Sequence, residues 1–222
     1  MKKLKRSPAK HDKLLIISHP HSGSSLLKSL LSRSKNAEEI VRETQYIDDS
    51  LLVKGKIIVA KTPLYSPSLN LSKLHRDHQF VLLIRNPCLA LASLEERFKG
   101  LEIPANHEIF FTLNFWQWYL QQYVEWKGIK IRYRDMFDNY KLTKVFTDVG
   151  LGLPEDVYGS YPRRISLDDI PKEEPERTDH VAFRNFQLNT KIEYKDKDRV
   201  IPCGDIYDEI TKMDNYKKIF EK

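Results

Sequence analysis

Apolar residues along the chain gather into short unbroken runs, separated by stretches that repeat at helical spacing. Leu14 to Ile17 and Phe80 to Ile84 have the length of buried strands. After the first run, Leu26, Leu27, Leu30 and Leu31 recur at helical spacing and predict a helix from Ser24. A second strand is predicted at Lys56 to Ala60, closed by a Lys61-Thr62-Pro63 turn, and a helix at Ser66 to His75. Asn86-Pro87 opens another helix, since proline suits a first turn. A long aromatic-rich helix is predicted from His107 to Trp126, then a fourth strand over Gly128 to Tyr133. Lys141 to Val149 reads as a helix ending at Gly150, and Asp205 to Phe220 as a terminal amphipathic helix. Residues 1–12 read as a basic disordered leader, and 13–222 as one domain. Within it, 153–179 turns rich in Pro, Asp, Glu and Arg, the composition of a surface loop or lid.

Strands alternating with helices predict an α/β fold in three layers, a mostly parallel sheet flanked by helices. Ligands of such sheets bind beyond the carboxyl ends of the strands. Both polar loops of interest, Ser18 to Ser25 and Arg85 to Ser93, leave strands at that edge.

Composition narrows the chemistry. The net charge of +6, from 37 Lys and Arg against 31 Asp and Glu, favours anionic ligands. Basic residues are not interleaved with aromatics in a stripe, so no nucleic-acid partner is expected. The two cysteines, Cys88 and Cys203, have neither zinc-site nor disulfide-framework spacing. No run approaches the roughly 18 apolar residues of a membrane span, nor the about 7–15 of a secretory signal. A cytoplasmic protein with no membrane partner is expected.

The first loop, His19-Pro20-His21-Ser22-Gly23-Ser24-Ser25, sits where a helix begins. Unpaired amides there carry partial positive charge and suit a phosphate. Gly23 lets the backbone approach closely, and the hydroxyls of Ser22, Ser24 and Ser25 add donors. The same string also serves as a plain serine N-cap. The ATP-type loop GxxxxGK[ST] is not met, because the first Gly is absent and Ser24 stands at the Lys position. In the second loop, Arg85 ends a strand with a planar fork of donors for phosphate or for a carboxylate partner. Ser93 lies about two turns into the following helix.

Together these loops resemble those of sulfotransferases that use 3′-phosphoadenosine 5′-phosphosulfate (PAPS). The family's 5′-phosphosulfate loop, P-[KR]-S-G-[ST]-[ST], is matched by Pro20 to Ser25 except at His21. Its 3′-phosphate motif, R-x-P-x5-S, is met by Arg85, Pro87 and Ser93. Ile131 to Met136 resembles the family's YEDL-like strand end, and Val149-Gly150-Leu151 its FLGL-type turn. The resemblance implies a P-loop-containing nucleotide hydrolase-like fold with PAPS as co-substrate and no metal. Ser22, Gly23, Ser24 and Ser25 would hold the 5′-phosphosulfate, Arg85 and Ser93 the 3′-phosphate, and Tyr133 would lie near the adenine. The chain departs from the pattern at Leu26, where the cytosolic branch stacks a Trp on adenine. It departs again at Lys61-Thr62-Pro63, where that branch has K-T-H with its catalytic base.

Sulfonyl transfer needs cationic groups at the donor and a base for the acceptor. His21 and Lys61 are the candidate cations; Glu43, which follows the first helix as a catalytic Glu does in the tyrosylprotein branch of the family, is the candidate base or else a solvated charge after Glu38-Glu39. Asp48 and Asp49 read as turn residues, and His75, His78 and His107 as surface residues. Phe110, Phe111, Phe115, Trp116, Trp118 and Tyr119, at helical spacing, read mostly as core. The expected activity is transfer to a hydroxyl or amine of a small-molecule or carbohydrate acceptor. The rivals are an ATP-dependent P-loop phosphotransferase and a degenerate sulfotransferase-like nucleotide-binding protein.

Overall fold

The computed structural model describes residues 11–40, 43–63, 77–100, 102–158, 192, 194 and 196–221. The strands among these residues are β1 Lys13–Ser18, β2 Ala37–Glu39, β3 Ile57–Pro63, β4 Gln79–Ile84 and β5 Ile129–Arg132. They form one sheet in the order β2-β3-β1-β4-β5, with every pairing parallel. The helices are α1 Ser24–Ser32, α2 Pro87–Arg97, α3 Ala105–Glu108, α4 Leu113–Glu125, α5 Asn139–Asp148, α6 Asp205–Lys212 and α7 Asp214–Phe220.

Helices cover both faces of this sheet, as the alternating pattern predicted. On one face α1 and α5 bury Leu27, Leu30, Val145 and Phe146 against Leu14, Ile16, Val59 and Leu83. On the other, α2, α4, α6 and α7 bury Leu91, Trp116, Leu120, Ile210 and Ile219 against Ile17, Leu82 and Ile84. β1 lies mid-sheet and is covered twice, so Leu14 to Ile17 are all 0–1% exposed. Burial on both faces explains a continuous apolar run in place of alternation. Each of these side chains contributes about 1.5–3 kcal/mol by leaving water.

Several boundaries differ from the expectation. β3 runs through Lys61 and Thr62, because parallel pairing with Ile16 and Ile17 of β1 holds those residues extended. The predicted turn is strand. β2, three residues of which two are Glu, carries no apolar run that would have marked it. The helix expected from His107 to Trp126 is broken at Thr112, which is extended and whose hydroxyl caps the new helix at the Phe115 amide. The terminal helix is split at an extended Met213. A continuous helix carrying Ile210 inward would turn Lys217 inward after two turns, whereas the break lets Tyr216 and Ile219 face the core. The 66–75 helix and residues 1–10 and 159–179 lie outside the described residues. No helix among the described residues is long and apolar enough to cross a membrane.

Candidate functional site

Because β1 has β3 on one side and β4 on the other, the strand-end loop after β1 opens between their carboxyl ends. α1 begins immediately after it. Its N-cap is Gly23, with φ +88°, and no side chain caps it. By contrast α2, α4 and α5 are capped by Asn86, Thr112 and Asp138. The serine string therefore does not supply the N-cap of α1, whose first turn opens on the loop. The Ser22 hydroxyl is buried with no hydrogen-bond partner among the described residues. Ser24 and Ser25 form the partly exposed first turn of α1. His21 adopts φ +57°, a left-handed conformation in which a non-glycine residue is strained.

The loop is bound directly to the segment after β4. His21 Nδ1 lies 2.9 Å from the Ser93 hydroxyl on α2. Arg85 Nη1 donates to the His21 carbonyl at 2.8 Å. The Arg85 guanidinium lies over the Tyr133 ring, 5.1 Å from its centroid. The same ring underlies the loop: a Cβ added at Gly23 would sit 2.5 Å from Tyr133 Cδ2. Tyr133 is held by the turn after β5, where Asp135 accepts from Arg132 Nε at 2.6 Å and Lys141 Nζ at 2.7 Å. Burial pushes the Tyr133 phenol up to about 12, so it stays a neutral hydroxyl near neutrality. His21, Ser22, Gly23, Arg85, Ser93 and Tyr133 thus form one contiguous cluster.

Two features of this cluster had no role in the sequence reading. Asp196 is 6% exposed and grips Arg85, accepting from Nε at 2.7 Å and Nη2 at 2.5 Å. Of the two partners expected for this fork, a phosphate or a carboxylate, the structure gives Arg85 the carboxylate, and its remaining terminal nitrogen binds the loop carbonyl. Asp196 lies 111 residues away in a charged stretch without periodicity, and no sequence signal marked it. The second feature is His19, fully buried, whose ring meets the edges of Trp116 and Tyr119 at 4.9 and 5.2 Å. Burial foremost, reinforced by the Arg85 charge and offset in part by a Pro20 hydrogen bond, pulls its pKa down to about 4. An imidazole beside proline at the end of an apolar run was the available signal.

On the other flank of β1, Lys61 Nζ binds Glu43 Oε1 at 2.6 Å. Lys61 is 8% exposed on the face shared by Ile57 and Val59, whereas the Glu43 side chain is 44% exposed. The two candidates are joined to one another beside the loop's strand. Asp48 caps the turn before Ser50, as a turn residue should. Asp49 pairs with Lys13 at the start of β1, at the opposite edge of the sheet.

The histidines and aromatics divide differently from expectation in one respect. His78 is not a surface residue: it is 5% exposed, accepts the Ile47 amide on Nε2 at 3.0 Å and meets Asp77 through Nδ1. It lies just before β4 and its ring packs against Tyr46 and Phe80, a tertiary setting that isolated polarity does not reveal. His107 is partly exposed and His75 lies outside the described residues. Phe110, Phe115, Trp116 and Tyr119 are core, at 0–1% exposed, and Phe111 and Trp118 pack at its margin.

No family model and no curated protein matches this sequence. Solved structures do. The sulfotransferase domain from the Synechococcus PCC 7002 olefin synthase superposes with a TM-score of 0.55 at 14% identity, covering 95% of this chain and 97% of that one. Mouse sulfotransferase SULT7A1, complexed with PAP, aligns at 0.49 and 14% identity over 94% of this chain and 74% of its own. A sulfotransferase from Alicyclobacillus acidocaldarius aligns at 0.45 and 12% identity over 79% and 93%. The first likeness shows a sulfotransferase-like α/β fold.

Proposed function

We propose that the chain binds PAPS across the two strand-end loops and transfers its sulfonyl group to a hydroxyl or amine acceptor. The observation that carries this reading is the direct junction of the loops, with Arg85 Nη1 on the His21 carbonyl at 2.8 Å and His21 on Ser93 at 2.9 Å. One nucleotide can span both. The first amides of α1 and the Ser22, Ser24 and Ser25 hydroxyls suit the 5′-phosphosulfate. Arg85 and Ser93 suit the 3′-phosphate. Arg85 accepts phosphate in the same bidentate geometry as a carboxylate, so the 3′-phosphate takes the fork by displacing Asp196, at the cost of freeing that buried carboxylate.

In the transfer, an acceptor lone pair forms the new bond to sulfur as the bond from sulfur to the 5′-phosphate oxygen breaks. The acceptor's proton passes to Glu43, and charge gathers on the leaving phosphate. Oriented amides, with His21 and Lys61, meet that charge. For this, Glu43 and Lys61 must part, each turning to its own end of the reacting line. A second reading, nucleotide binding without transfer, draws on that 2.6 Å ion pair, which engages both groups with each other.

Calorimetry with adenosine 3′,5′-bisphosphate tests the donor reading. Binding is expected with and without magnesium. Asp196→Asn, which withdraws the competing charge, should bind at least several-fold more tightly than the wild type. A site that takes ATP with magnesium and ignores the bisphosphate would refute the proposal.

A further inference from the structure

His19 occupies the place where β1 and β4 part. Their backbone pairing ends at Ser18 and Leu83, and beyond it the chains separate around the site. There the Arg85 amide donates to His19 Nε2 at 3.2 Å, so the side chain of the first residue past β1 takes over where the backbone ladder stops. On its other side the ring meets the Pro20 carbonyl through Nδ1 at 2.8 Å.

These two contacts admit a single chemical form of the ring. The Arg85 N–H can only donate, so Nε2 is a bare acceptor. The Pro20 carbonyl can only accept, so Nδ1 carries the proton. Protonating Nε2 would set two hydrogens against each other. Trp116 and Tyr119 clamp the ring plane, and the Tyr119 hydroxyl is itself anchored on the Leu83 carbonyl at 2.7 Å. The imidazole is thus a rigid, neutral spacer between the residue that opens the first loop and the backbone that carries Arg85.

We propose that His19 is a positioning residue whose Nε2 acceptor sets the separation of the first loop from Arg85, and so the spacing between the two phosphates the site accepts. The role rests on the nucleotide reading above. Loss of the acceptor should leave 5′-phosphate binding in place and weaken what the 3′-phosphate adds. A ring that merely fills the core would, when replaced, weaken both alike.

The test compares adenosine 3′,5′-bisphosphate with adenosine 5′-monophosphate in the wild type, His19→Gln and His19→Asn, each checked for folding by thermal unfolding. The glutamine carbonyl reaches the position of Nε2 and can accept from Arg85. The asparagine amide reaches only as far as Nδ1. The affinity ratio of the two nucleotides should stay within about twofold of wild type in His19→Gln, and fall about tenfold in His19→Asn, the worth of one buried hydrogen bond. Equal ratios in the two variants would overturn the role of His19 while leaving the donor reading intact. A wild-type ratio of one would end the donor reading, and this role with it. If a variant does not fold, nitrogen-15 spectra of the wild-type imidazole decide. Protonated Nδ1 and bare Nε2 near neutral pH are expected, and the opposite tautomer would overturn the proposal.

Discussion

Gly23 is where backbone conformation and site geometry depend most visibly on one residue. Its φ of +88° is costly for any residue with a Cβ, and that Cβ would meet the Tyr133 ring at 2.5 Å. Gly23→Ala should therefore destabilise the fold by about 1–3 kcal/mol and push the loop off the ring. Thermal unfolding and bisphosphate titration check this: a lower melting temperature with at least tenfold weaker binding is expected, and neither change would count against the loop geometry. At this scale the sequence was readable where chemistry follows local order. A Ser-Gly-Ser string after a buried strand and an arginine ending another were both legible, because each loop's position follows from its own strand. What the arginine touches was not legible. Asp196 meets it through the tertiary fold, and His78 is drawn inward by packing that local polarity does not encode.

Among the elements, α1 matters most because it presents its N-terminus to the loop. It is tied to the sheet by Lys28, 5% exposed, which binds Glu39 of β2 at 2.8 Å and the Ile40 carbonyl at 2.7 Å. Removing one partner of a buried pair strands the other charge. Lys28→Met should lose about 3 kcal/mol, while Lys28→Met with Glu39→Leu should recover most of it. Denaturant unfolding of the three proteins measures both; a single variant as stable as wild type would show that the pair does not secure α1. The long apolar runs made β1 and β4 visible in advance, since strands covered on both faces must be apolar throughout. β2 was invisible for the opposite reason: its register comes from pairing with Ile57 to Val59, and its own residues are mostly Glu. The breaks at Thr112 and Met213 follow from docking a helix face onto the sheet, which helical periodicity alone does not settle.

The whole molecule brings the carboxyl ends of β3, β1 and β4 side by side, and with them a paired Lys61 and Glu43, a helix N-terminus and Arg85. The net charge of +6 suits a site for a multiply charged anion. Strand-helix alternation was enough to place two loops at one edge. That the loops touch through His21, and are spaced through His19, emerges only from the folded chain. The account turns on one nucleotide engaging both at once. Amide hydrogen exchange with and without adenosine 3′,5′-bisphosphate measures this directly. Slower exchange is predicted together in 21–25 and at Arg85, saturating at the same nucleotide concentration. Protection confined to one of the two segments, or absent from both, would contradict it.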